Sequence, residues 1–301
     1  MRIRALPSLL SASSIRTVGL GAVALLVAGC VGAGAASPED SGSPSASPDP
    51  IGSSSPAAAG FYLRAWRTQA LAPWNTFGWL SSATISAGQF VDGNVVVPAI
   101  YPGATYLQLS FRPINGEGIQ AIVDEARKDG LLTSQTTYGQ GMPGGSVAHI
   151  RLVVDGVTYE MAGPLPGEPA AASPQPGTAA AFADFWNKIT SVAMWLAADL
   201  GESVPYSPTQ LAVLIGPPPA EGADSAIKPT VRDWPLASKF ATFGAAMGTQ
   251  YRCVVVAGDD LATLLPVVKA ANQLTILVDS SGSKASIQAR ALMPGEPSPC
   301  A

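Results

Sequence analysis

Residues 31–59 are almost wholly Ser, Pro, Ala, Gly and Asp, and a stretch of that composition cannot bury enough apolar surface to offset the entropy of ordering it. Whatever folds in this chain of 301 residues is therefore expected to fold after residue 59. As a flexible coil the stretch spans about 30 Å end to end, the behaviour of a tether. The remaining body of about 240 residues is large enough for one or two domains. With 47% apolar residues in the whole chain, that body can build a sizeable core.

What precedes the tether reads as an export signal. Residues 1–17 hold Arg2, Arg4 and Arg16 and no acid, and 18–28 is an uncharged apolar run. Eleven such residues are too few to cross a bilayer permanently. The run ends in Val27-Ala28-Gly29-Cys30, which resembles the lipobox of bacterial lipoproteins in every position. Small residues at 28 and 29 admit a peptidase, and the Cys30 thiol is the acceptor for diacylglycerol. The competing reading is an ordinary secretory signal with a chance cysteine, and the placing of Cys30 at the cut itself favours lipidation. No Arg-Arg pair is present, so the general secretion route is expected. The expected organisation is signal peptide 1–29, lipidated Cys30 with a disordered tether to 59, then the folded body on a membrane, facing outside the cytoplasm.

Removing 1–29 takes away three arginines and no acid, which carries the formal charge from −4 to −7. So acidic a chain, with no Lys/Arg cluster, is ill suited to nucleic acid or to electrostatic docking on anionic lipid. The expected partners are the membrane, through the lipid, and a protein or cell-wall component.

Along the body, 61–66 and 83–97 read as strands, the second with a turn at Asp92-Gly93. An alternating run at 105–111 follows. Ile119, Ile122, Val123 and Ala126 then mark a helix at i, i+3, i+4 and i+7, stopped by Gly130. Residues 147–154 and 157–161 form a hairpin around Asp155-Gly156. The longest amphipathic pattern runs from Phe182 through Phe185, Trp186, Ile189, Val192, Ala193 and Leu196 to Leu200, with Gly201 after it. Residues 211–215 read as a short buried strand and 251–257 as another. Asp259 is placed as N-cap of a helix whose apolar face is Leu261, Leu264, Leu265 and Val268, with Pro266 implying a kink or a late start. Residues 286–293 read as a closing strand. The fold class is α+β: two sheet-and-helix units with antiparallel hairpins, at 60–165 and 178–301, joined by a Pro/Ala/Gly linker at 166–177. Strand–helix–strand occurs in both units, at 105–161 and 251–293, which leaves an internal duplication open.

Four segments, Trp234-Pro235-Leu236-Ala237, Phe240-Ala241-Thr242-Phe243-Gly244, the run DLATLLPVVKAANQLT at 260–275, and the ending from Met293 to Cys300, carry a resemblance. Across 61–300 the chain resembles an uncharacterised family of lipoproteins from GC-rich bacteria. That family has no assigned activity, so the resemblance implies an envelope lipoprotein and brings no catalytic residue.

Chemistry-bearing motifs are weak. Gly139-Gln140-Gly141-Met142-Pro143-Gly144 fits GxGxxG, but dinucleotide binding needs those glycines between a strand and a helix, and a hairpin is expected here. Ser-x-x-Lys at Ser225/Lys228 and Ser281/Lys284 lacks its partner motifs and falls in loops. His149 is the single histidine, with no nucleophile elbow near it, so it is read as structural. One histidine and two spaced cysteines make no zinc site. Asp124-Glu125 is read as a solvated helix face. No catalytic, cofactor or metal residue is assigned. Phe61, Tyr62, Trp66, Trp74, Phe77 and Trp79 cluster early; they are read mainly as core, and are the first place to look for a binding surface. A non-catalytic binding or interaction module is expected, with a hydrolase built on a distant carboxylate pair, or a small solute-binding protein, as alternatives. Of three cysteines Cys30 is taken by lipid, leaving Cys253 and Cys300 for a disulfide in an oxidising compartment. Two buried free thiols are the competing reading. A bridge requires Cα atoms within about 7 Å.

Overall fold

A computed structural model describes residues 60–69, 77–95, 101–139, 145–166, 175–219 and 228–300. The signal segment, Cys30, the tether, Trp74, Ser225 and most of the GxGxxG run lie outside them.

Strand β1 (Tyr62–Gln69) alternates, turning Leu63 and Ala65 into the core and Arg64 and Trp66 to the other side. It pairs with β2 (Ala83–Ser86), which turns back into β3 (Gln89–Asp92). The turn is Ala87-Gly88, with φ of 49° and 73°, rather than the expected Asp92-Gly93. Two successive left-handed residues give the twist that a two-residue hairpin requires. Asp92 instead ends its strand, because its Oδ1 accepts the Asn94 N–H at 2.8 Å.

The alternating run at 105–111 is two strands in different sheets. β4 (Tyr106–Leu107) pairs in parallel with β14 (Lys284–Ala291), whereas β5 (Ser110–Pro113) joins β3 and β8 (Val204–Pro205). Between them Gln108 Nε2 donates to the carbonyls of Leu109 and Tyr206, which fixes the crossing.

Helix α1 (Gly116–Lys128) is capped by Asn115 Oδ1, which accepts the Gly118 N–H at 2.8 Å. It ends in a Schellman turn: Leu131 N–H donates to Ala126 O, Gly130 N–H donates to Arg127 O, and Gly130 has φ +66°. Strands β6 (Ser146–Val154) and β7 (Val157–Pro164) form the expected hairpin, with Asp155 and Gly156 both at positive φ.

The long amphipathic pattern does not make one helix. It breaks into α2 (Ala179–Ile189), α3 (Val192–Trp195) and a 3₁₀ turn (Ala197–Asp199). At the break Thr190 Oγ1 donates back to Trp186 O, and Ser191 leaves helical geometry at φ −127°, ψ 29°. The apolar face nevertheless persists. Phe182, Phe185, Trp186, Ile189, Val192, Leu196 and Leu200 pack with Ile119 and Ile122 on the inward residues of β1, β2 and β6. The segment expected to open the second unit at 178 thus packs into the core of the first sheet.

The first sheet runs β7-β6-β1-β2-β3-β5-β8, antiparallel at each of these pairings. The second contains β9 (Gln210–Gly216), β10 (Thr230–Asp233), β11 (Ala245–Met247), β12 (Tyr251–Ala257) and β13 (Thr275–Val278). Its order is β10-β13-β14-β9-β12-β11, with β4 also on β14. β10–β13 and β4–β14 are parallel, so the two sheets are not copies of one topology. Strand β9 is buried from Leu211 to Gly216, as a central strand covered on both faces must be. One face meets Leu261, Leu264 and Val268 of α4 (Gly258–Lys269), together with Val91 and Leu109 from the first sheet's outer side. The other presents Ala212 and Leu214 to Phe77, Cys253 and Leu292.

Helix α4 begins one residue before Asp259, with Ala257 at the cap and no side-chain cap bond. Asp259 and Asp260 lie in the first turn, where their charge favours the dipole, and the helix runs on through Pro266.

Candidate functional site

The two sheets meet around the segment 77–82, which is tied to both. Arg290 Nε donates to Phe77 O at 2.5 Å, and Arg64 Nε donates to Ser81 Oγ at 2.8 Å. Asn94 Nδ2 donates to Ser82 O and, across to the end of α2, to Thr190 O. Three hollows open beside this segment and all three touch Leu80. The largest, about 600 Å³, has Phe77, Leu80, Tyr106 and Leu107 in its wall and is mostly apolar. A second of about 340 Å³ lies between Asn94, Trp186 and Trp79.

The third, also about 340 Å³, carries the charge. One wall is β1, with Arg64, Trp66 and Thr68 on its outward side and Arg67, on the other face, reaching the hollow from the exposed end of the strand, and Trp79 closes another. The opposite wall is the C-terminal tail, 296–299. Strand pairing places His149 opposite Trp66; their rings stack with centroids 5.1 Å apart, and Arg64 Cζ lies 4.4 Å from the Trp66 ring centre. His149 Nε2 is 2.8 Å from Thr68 Oγ1. Burial, reinforced by the Arg64 charge, lowers the His149 pKa. The histidine is thus a packed member of an aromatic and cationic platform.

The tail is held in place bond by bond. Arg290 and Glu296 form an ion pair at 3.0 Å with side chains 6% and 4% exposed, and Glu296 Oε2 also accepts the Met293 N–H. Tyr62 Oη donates to Pro294 O, and Thr84 Oγ1 donates to Met293 Sδ. Gly295 has φ +67°, and a Cβ there would stand 2.5 Å from Tyr62 Oη, so only glycine fits. Cys300 lies at disulfide distance from Cys253, with sulfurs 2.00 Å and Cα atoms 5.1 Å apart. Arg290 is thereby matched by Glu296, whereas Arg64 and Arg67 form no ion pair among the described residues. Burial lowers the Arg64 pKa and Glu296 works against that shift.

On the helical side of the first sheet the fold gathers a group that sequence reasoning missed. Glu125 and Asp129 of α1 and its cap meet Asp184 of α2, with one carboxylate oxygen from each within 4.8 Å of the others. Lys188 Nζ lies 2.6 Å from both Glu125 Oε1 and Asp184 Oδ2. Burial, then the Glu125 charge, push the Asp129 carboxyl up to about 6. Glu125 was read with Asp124 as a solvated face, which holds for Asp124, in a surface pair with Arg127. The available signal was the spacing: 125/129 and 184/188 are both i, i+4 pairs on the polar margins of amphipathic helices.

Other singled-out residues stay apart. Ser281 Oγ donates to Asp279 Oδ1, and Lys284 is exposed at the start of β14. After Gly139 the next described element is the strand β6, not a helix.

No protein-family model, curated protein or solved structure matches this chain.

Proposed function

We propose that this chain is an envelope lipoprotein, anchored through Cys30, whose folded body binds a small anionic ligand between β1 and the C-terminal tail. The observation that carries the reading is Arg64 with Arg67: two arginines in one hollow, neither ion-paired among the described residues, in a chain whose mature form carries −7. Ser81 holds the Arg64 guanidinium by its Nε, which leaves the terminal nitrogens to meet a carboxylate or phosphate edge-on. Trp79 and Pro297 supply flat apolar walls, and Thr68 and Ser298 supply hydroxyls, a lining suited to a ring that bears an acid group.

A hydrolase built on a carboxylate pair, the alternative reading, needs two facing carboxylates. Among the described residues lining the three hollows the carboxylate is Glu296, which is already paired with Arg290, so binding is the better supported reading.

Titration with glucuronate or glucose 6-phosphate, followed by calorimetry and tryptophan fluorescence, tests the site. Both are expected to bind where neutral glucose does not. Arg67→Ala is expected to weaken them about tenfold or more, the loss of one charge-assisted hydrogen bond. Equal binding of glucose, or indifference to Arg67→Ala, refutes the anionic site. The anchor is tested separately: Cys30→Ala is expected to release the protein into the medium or leave it unprocessed, and unchanged membrane association with normal processing refutes it.

A further inference from the structure

We propose that Glu125, Asp129 and Asp184 form a binding site for a hard divalent cation, calcium in preference to magnesium, on the helical side of the first sheet. The inference is independent of the hollow and shares no residue with it.

Two observations carry it. The first is the grouping itself, three carboxylate oxygens within 4.8 Å of one another. Calcium binds oxygen at about 2.3–2.6 Å, so two of its ligands stand up to about 5 Å apart, whereas magnesium at about 2.0–2.1 Å needs them within about 4.2 Å. Calcium, with its longer bonds and looser geometry, tolerates more of the range within that limit than magnesium does. The second is an orphaned atom. Asp129 is 4% exposed, and its Oδ2 is buried without a hydrogen-bond partner among the described residues. A buried carboxylate oxygen left bare is costly and marks the place of an ion or water.

Lys188 already bonds Glu125 and Asp184 but leaves Asp129 Oδ2 unserved. Its side chain is 27% exposed, with a path to solvent when an ion displaces it. The helix adds to the attraction, since Asp129 is the C-cap of α1 and the last turn of a helix favours positive charge. Three protein ligands leave the rest of a calcium shell to water. Affinity in the millimolar range follows, as in other extracytoplasmic sites.

The test uses the purified full chain in detergent, stripped with EDTA, and follows melting temperature and calorimetric titration at pH 7.5. Calcium chloride at 5 mM is expected to raise the melting temperature, magnesium chloride less, and potassium chloride of equal ionic strength not at all. Asp129→Asn is expected to abolish the calcium response, and Asp184→Asn, should the first variant fold poorly, to do the same. Lys188→Met removes the competing ammonium and is expected to tighten calcium binding about tenfold, the effect of one charge near the site. A bare ion-pair network would instead lose stability in Lys188→Met with no rescue by calcium. No calcium response in both the parent and Lys188→Met, or a response that survives the aspartate substitutions, overturns the proposal.

Discussion

Asp279 organises more backbone than any other carboxylate described. Its Oδ1 accepts from Ser281 N–H, Ser281 Oγ and Ser283 N–H, shaping the turn from β13 into β14, and its Oδ2 accepts the Phe240 N–H of the loop beneath α4's sheet. The Ser281 hydroxyl, then these amides, hold its carboxyl down at about 2, against an ordinary 3.8. A folded-state pKa below the unfolded one means the charged form belongs to the folded chain. Its stabilisation is complete above pH 3.8 and is lost as the pH falls through about 2. Asp279→Asn is therefore expected to melt below the parent at pH 7, with the gap closing between pH 4 and pH 2. A gap of constant size would show that charge is not what the turn uses. Trp186 answers to packing instead. It lies in the core beneath α1 and β6, and Trp186→Ala is expected to cost about 3–5 kcal/mol in denaturant unfolding. The inward set Phe182, Phe185, Trp186 and Ile189 was legible from spacing alone, because helical periodicity is a local property. Asp129 was not, because its burial depends on Gly130 turning the chain and on a helix some fifty residues further on.

At the scale of elements, the tail 293–300 behaves as a strap. Tyr62, Thr84, Arg290 and Cys253 each hold it, and it walls the arginine-lined hollow. The cysteines are 47 residues apart, a loop that the chain-entropy account values at about 4 kcal/mol. Cys300→Ser is expected to lower stability by up to that amount and to open the tail to protease while the sheets stay formed. Resistance equal to the parent's would mean the Arg290–Glu296 pair holds the tail unaided. The pairing of these cysteines could be argued from count and compartment. The path of the tail over β1 could not, since nothing local in PGEPSPC points to Tyr62. The run at 105–111 fails for a related reason. Alternation is visible there, but whether a residue pairs with β3 or with β14, almost two hundred residues away, is decided by partners the local pattern does not name. Thr190 and Ser191 are poor helix formers, and the break they make lies inside an apolar pattern that continues on either side.

For the whole molecule the decisive feature is exchange between the sheets. The first half of the chain sends β4 into the second sheet, and the second half sends β8 back into the first. Val91 and Leu109 are buried against Leu211, Val213 and Ile287, so the apolar cluster under α4 belongs to both halves. Neither half can keep its core when the other opens: loss of the second sheet exposes Val91 and Leu109, and loss of the first withdraws the covering residues of β9. Burying a side chain of that size is worth about 1.5–3 kcal/mol, and several are shared, against a total stability of about 5–15 kcal/mol. Independent unfolding is therefore too costly to be populated. The chain is expected to melt in one calorimetric transition whose van't Hoff and calorimetric enthalpies agree. A fragment ending at 165 lacks α2, α3 and β8, and so leaves the inward faces of β1, β2 and β6 bare. That fragment is expected to lack the cooperative melt and the near-ultraviolet circular dichroism of the parent. Two resolved transitions in the full chain, or a folded 60–165 fragment, would establish two autonomous units divided at 166–177.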